Sequence, residues 1–248
     1  MYIAAFFLLA ATADCEAIYQ AVTDAKAFPA PEKKIQHLLY RGRSCRGTGI
    51  YESRLAYFYV QTRELDAAVK VLNQGLSTPN DYHKELKYSL ADIDVAKGDL
   101  DKGFQNATRL KDEYPDWFGG YVLLAKVTLM QRRFAESIQY GTEANKRSPN
   151  ASTFLGLAIA HHQLDQDEQA IAAGLEAIER DPKVVAAGAG MNEMIYSYVR
   201  LNRYPQAMDL LKARIRHDAA WRNDPVFVKA YDYLRAKLPE QFDGISAR

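Results

Sequence analysis

Apolar residues recur along most of this chain at spacings of three and four, which predicts amphipathic helices. Alternation of apolar and polar residues is nowhere sustained long enough to predict a strand. A longer period overlies the helical one. Five segments align: "LAYFYVQTRELDAAVKVLNQGLSTP", "LADIDVAKGDLDKGFQNATRLKDEYP", "LAKVTLMQRRFAESIQYGTEANKRSP", "LAIAHHQLDQDEQAIAAGLEAIERDP" and "MIYSYVRLNRYPQAMDLLKARIRHD". The first four open on Leu-Ala and close at a proline. All five carry a small residue twelve positions after the second letter: Ala68, Gly103, Ser137, Ala170 and Ala207. The steps between these are 35, 34, 33 and 37 residues.

The spacing predicts units of two helices joined by a short turn. A small residue on the second helix lets the first approach closely, where a large one would force the pair apart. The closing proline stops the second helix, because it lacks an N–H and restricts the residue before it. One such unit cannot bury its apolar face alone, so neighbours must stack.

These features resemble the tetratricopeptide repeat family. The resemblance rests on Leu55-Ala56, Leu90-Ala91, Leu124-Ala125 and Leu157-Ala158 in the first helices. It rests also on Leu65, Leu100, Phe134 and Tyr204 opening the second helices, on the five small residues, and on Pro79, Pro115, Pro149 and Pro182. Asp167 departs from the pattern in the fourth unit, and Met194-Ile195 with no closing proline departs in the fifth. The resemblance covers Gly49 to Asp218. It implies an all-α fold, a right-handed superhelix or solenoid of tandem helix-turn-helix repeats, with five repeats over residues 49–218.

The resemblance further implies a concave groove lined by first-helix residues. These are Tyr57, Val60 and Gln61; Glu85, Tyr88 and Asp92; Lys126, Leu129 and Met130; Leu155, Ile159 and His162; and Asn192, Tyr196 and Arg200. Aromatic anchors with scattered charges suit an extended peptide or a partner helix. Some family members grip a C-terminal carboxylate with Lys and Asn on successive first helices. Ser53 and Tyr57 stand at the corresponding first-unit positions, which argues against a chaperone-tail adaptor of that kind.

Outside the repeats, residues 14–48 read as a helical hairpin broken at Phe28-Pro29-Ala30-Pro31, and residues 219–248 as a capping helix and tail. Val226, Phe227, Ala230, Tyr231 and Leu234 would face the last repeat. The chain holds two cysteines, Cys15 and Cys45. An antiparallel hairpin would bring them together, and a disulfide there agrees with export; two free thiols is the alternative. Ile3 to Ala11 is an apolar run followed by Ala11-Thr12-Ala13, which reads as a secretory signal peptide cut after Ala13, although no Lys or Arg precedes it. A buried first helix is the other reading. The run is too short to span a bilayer, so no integral membrane span is expected. Formal net charge is +1, which gives no field for nucleic acid.

"HHQLDQDEQ" gathers His161, His162, Asp165, Asp167 and Glu168, the residue types of a metal or acid–base site. The repeat frame scatters them. Adjacent helical residues diverge, Asp165 falls in a turn, and Asp167 and Glu168 complement a helix N-terminus. "RIRHDAAWR" reads as a solvated basic helix end. The expected function is therefore a non-catalytic scaffold without cofactor or metal, binding a protein or peptide in the periplasm or outside the cell. A cytoplasmic adaptor or co-chaperone is the alternative. A metal-dependent enzyme using His161, His162, Asp165 and Glu168 is the third reading.

Overall fold

The structure, a computed structural model, describes residues 15–24 and 26–242. The segment read as a signal peptide lies outside these residues. The chain divides into two compact units, Met1–Pro115 and Asp116–Arg248. Among the described residues the regular structure is helical and no strand occurs.

The first unit holds helix α1 (residues 15–21), α2 (Pro31–Arg41) and a 3-10 turn at Gly42–Cys45. Two pairs follow: α3 (Ile50–Gln61) with α4 (Leu65–Leu76), and α5 (His83–Ala96) with α6 (Leu100–Glu113). α1 stops well before the Phe28 expected from the sequence. Asp24 accepts the N–H groups of Lys26 and Ala27 at 2.8 and 3.3 Å, turning the chain toward Pro31. Cys15 and Cys45 form a disulfide with a Cα separation of 5.7 Å. Both sulfurs sit in a core with Tyr19, Val22, Ile35, Leu38, Tyr51, Leu55 and Phe58. Glu52 is buried, and its carboxylate accepts the N–H groups of Gly47 and Gly49 at 2.7 and 3.0 Å. That charge is thus matched to the free donors at the start of α3.

The second unit holds three pairs and a final helix. The pairs are α7 (Phe118–Met130) with α8 (Phe134–Arg147), α9 (Ala151–Gln163) with α10 (Asp167–Arg180), and α11 (Met191–Arg200) with α12 (Tyr204–His217). α13 spans Pro225–Lys237. From α2 to α6 and from α7 to α13 each helix packs on the next, and first helices touch first helices: α3 on α5, α7 on α9, α9 on α11.

All five pairs turn in the same way. The turn residue is left-handed in each: Arg63 at φ 63°, Gly98 at 84°, Arg132 at 61°, Asp165 at 57° and Asn202 at 57°. The next residue's N–H then reaches back five residues, from Glu64 to Tyr59, Asp99 to Asp94, Arg133 to Thr128, Gln166 to His161 and Arg203 to Tyr198, at 2.8–3.0 Å. This is the six-to-one bond of a Schellman helix end, which satisfies a carbonyl the helix leaves over. Only one of the five positions is glycine, so four turns carry the cost of a Cβ in left-handed backbone, about 1 kcal/mol each.

The five small residues are all buried. Ala68, Ala170 and Ala207 are 0% exposed, and Ser137 donates its hydroxyl to the Ala125 carbonyl at 2.9 Å. Seven positions further on, the first four pairs place Gly75, Leu110, Ala144 and Ala177, again buried. The fifth places Arg214, which is 2% exposed. "RIRHDAAWR" is therefore not simply a solvated basic end. The Arg214 guanidinium bonds Asn192 Oδ1 and lies 2.7 Å from Asp224 Oδ2 and 3.7 Å from Asp218. Its Cζ stands 4.2 Å over the Phe227 ring. Asp224 also accepts Asn192 Nδ2 at 3.0 Å and, as the N-cap of α13, the N–H groups of Val226 and Phe227. Burial raises the Asp224 pKa, but the bonds from Asn192 and Arg214 outweigh it and hold the carboxyl down at about 2. Phe227, Ala230, Tyr231 and Leu234 face α11 and α12 as expected, whereas Val226 is 45% exposed. Val226 sits in the first turn of α13, where its carbonyl accepts the Tyr196 hydroxyl at 2.9 Å.

Candidate functional site

The acidic and histidine cluster is an ionic joint between two pairs. Arg200, at the end of α11, donates to Asp167 from Nε at 2.9 Å and from Nη2 at 2.6 Å, and it pairs with Asp165. The same guanidinium donates to the His162 carbonyl and to His162 Nδ1, both at 2.8 Å. Arg203 grips Glu168 with two bonds, at 2.9 and 2.5 Å. His161 instead bonds Gln166 at 2.6 Å. A guanidinium can only donate, so His162 Nδ1 is an acceptor and its ring is neutral. Burial, then the Arg200 charge, hold the His162 pKa below the ordinary imidazole value. Bonds from Ser197 and Arg200 outweigh burial at Asp167 and depress its pKa.

Each group in the cluster is thus committed to a neighbour in the fold. Among the described residues no group of three or more His, Cys, Asp or Glu is placed to hold a metal ion. Arg200 and Arg203 lie 35 residues beyond Asp165 and Glu168, about one repeat. Reading charges at the repeat offset, rather than within one helix, would have found these partners.

The first-helix residues fall into two groups. In the first unit Tyr57 is 56% exposed, its ring edge-on to Phe58 at 5.3 Å. Gln61 is exposed beside it, while Val60 packs on the core around Ala56, Ala68 and Leu72. Glu85, Tyr88 and Asp92 are half-buried on α5. Burial, with Asp92 second, pushes the Tyr88 hydroxyl up to about 12. In the second unit Met130 is 50% exposed and Lys126 is exposed, with Leu129 and Ile159 half-buried.

Five residues of the expected lining serve the fold instead, His162 among them through its bonds to Arg200 and Ser197. Asn192 is 5% exposed because it bridges Arg214 and Asp224, so it does not line a surface. Tyr196 is half-buried and gives its hydroxyl to α13, and Arg200 belongs to the ionic joint. Leu155 lies against Gly190, where an added Cβ would approach it to 2.9 Å and where φ is 85°. The fifth pair departs most from the family frame because α13 covers its first helix.

No protein-family model matches the chain. It is 25% identical over 187 residues to mouse tetratricopeptide repeat protein 21B, a match that covers 73% of this chain and 14% of that protein. The chain therefore spans about a seventh of the length of that curated relative. Among solved structures, the Cut9–Hcn1 hetero-tetramer of the APC/C superposes with a TM-score of 0.70 at 11% identity, over 85% of this chain and 40% of that one. YrrB, described as a TPR protein with an unusual peptide-binding site, superposes with a TM-score of 0.53 at 13% identity, over 75% and 93%. Five in-phase pairs, five Schellman turns and these similarities show the tetratricopeptide-repeat fold.

Proposed function

We propose that this chain is a non-catalytic scaffold that binds a protein or extended peptide through its first-helix residues. The observation carrying the proposal is the exposure of Tyr57 and Met130. Each is a large side chain at a first-helix lining position, 56% and 50% exposed in its own unit. Large apolar or aromatic groups left outside a core are candidate binding anchors. The peptide-binding site named for YrrB supports the same reading. Truncating a true anchor costs binding about 2 kcal/mol or more and leaves folding intact. The test compares wild type with Tyr57→Ala and Met130→Ala, each immobilised in native extract, with captured proteins quantified by mass spectrometry. The proposal expects proteins retained by wild type and lost from a variant whose melting temperature is unchanged. Identical capture by all three overturns it.

We infer that the chain works in an oxidising compartment, the periplasm or cell exterior. The buried Cys15–Cys45 disulfide supports this reading, as does the Ala11-Thr12-Ala13 pattern. Native protein should begin at Asp14 and carry no free thiol. An intact Met1 on protein with two free thiols overturns the inference.

A further inference from the structure

We propose that the cleft between α1 and α2 binds a small amphipathic organic anion, of the class of a medium-chain carboxylate. The cleft is open to solvent along one side and has a volume of about 570 Å³, room for a small molecule. Its two walls differ in chemistry. α1 contributes Ala17, Ile18 and Ala21. The two alanines lie one helical turn apart, and their short side chains leave the space. α2 and the turn after it contribute His37, Arg41 and Ser44. His37 and Arg41 are four residues apart on α2 and share one face, and Ser44 follows in the 3-10 turn. Tyr40 stands on the rim, 70% exposed.

Among the described residues Arg41 forms no ion pair with a carboxylate. Burial, and then the Arg41 charge, hold the His37 pKa down, so the two groups already oppose each other electrostatically. Phe28 sets the His37 ring edge-on at 4.6 Å. An anion between guanidinium, imidazole N–H and Ser44 hydroxyl would receive charge-assisted bonds, while its apolar body would lie along the alanine wall. The disulfide holds both walls, since Cys15 precedes Ala17 by two residues and Cys45 follows Ser44.

The test uses the full chain, with octanoate and its neutral counterpart octanamide as probes in titration calorimetry. Octanoate should bind saturably with one site, and octanamide at least about tenfold more weakly, the worth of a charge-assisted bond. Arg41→Gln should lower octanoate affinity by about tenfold or more without moving the melting temperature, since Arg41 is exposed. Ala17→Leu, also at an exposed position, should block both probes by filling the cleft. Equal binding of the two probes, wild-type affinity in Arg41→Gln, undiminished binding in Ala17→Leu, or no saturable binding each overturns the proposal.

Discussion

Replacing Asp224 by asparagine keeps the shape of the side chain and the Oδ1 acceptor that caps α13, but removes the charge and puts an amide NH2 where Oδ2 accepts from Asn192 and Arg214. Arg214 then stays buried, 2% exposed, with Asn192 and an aspartate 3.7 Å away as its remaining partners. Stripping one partner from a fully buried ion pair costs about 3–5 kcal/mol. The Asp224 side chain is 23% exposed, and Asp218 compensates in part, so about 2–3 kcal/mol is expected after screening. Removing the cation is cheaper. In Arg214→Met the Asp224 carboxylate keeps Asn192 and two backbone N–H groups, and the thioether covers the Phe227 ring, for a cost of about 0–1 kcal/mol. The double variant should resemble Arg214→Met, giving a coupling equal to the Asp224→Asn cost, about 2–3 kcal/mol. Trp221 reports the site, its ring 5.6 Å from Phe227 and 4.9 Å from Tyr231. Urea unfolding followed by its fluorescence in a Trp117→Phe background gives all four free energies. pH supplies a second arm. The folded pKa of Asp224, about 2, lies below its unfolded value. Its contribution is therefore complete above about pH 4 and lost as pH falls toward 2. Wild type should weaken across that window more than Asp224→Asn does. An Arg214→Met cost equal to or above that of Asp224→Asn, or a coupling under about 0.5 kcal/mol, refutes the reasoning.

Other consequences of the fold are as direct. Ala170→Leu should overpack the fourth pair and cost about 1–3 kcal/mol in denaturant unfolding; an unchanged midpoint would mean the repeat phase is misplaced. Arg132→Gly should stabilise by about 0.5–1 kcal/mol by relieving its left-handed turn, and Gly98→Ala should destabilise by a similar amount. No atom lies within 4 Å of the added Cβ at Gly98, so the second value, read by thermal unfolding, measures backbone cost alone. Reducing the disulfide, which closes a separation of 30 residues, should lower stability by about 3–4 kcal/mol in the loop-entropy estimate, and hydrogen exchange should place the loss in α1 and α2.

The helical pairs were legible because their determinants repeat. Leu65, Leu100, Phe134 and Tyr204 open their helices where the pattern put them, and five small residues at a near-constant step fix the phase. The left-handed turns were less visible, since Arg63, Arg132, Asp165 and Asn202 do not share the chemistry that marks Gly98. Reading within single helices hid the site's interactions. Glu168 looks like a dipole-matched N-terminal acid until Arg203 is placed opposite it one repeat later. Arg214 looks like a solvated cation because nothing in "RIRHDAAWR" shows that Asn192 and Asp224 converge on it. The short α1 was missed because Ala-rich periodicity continues past the point where Asp24 turns the chain.

The buried guanidinium also bears on modular engineering. At the corresponding position three pairs carry a small residue, Gly75, Ala144 or Ala177, and at Gly75 an added Cβ would meet Leu86 of the next pair at 2.8 Å, so the small residue is a socket for the newcomer. At Arg214 the socket is plugged by a charge with its own counter-ions, so an extra pair grafted after Asp218 would meet a cation rather than a recess. Lengthening this array would therefore require exchanging Arg214, Asn192 and Asp224 together, as a single cassette. Insertion ahead of α11 would leave that terminator in place.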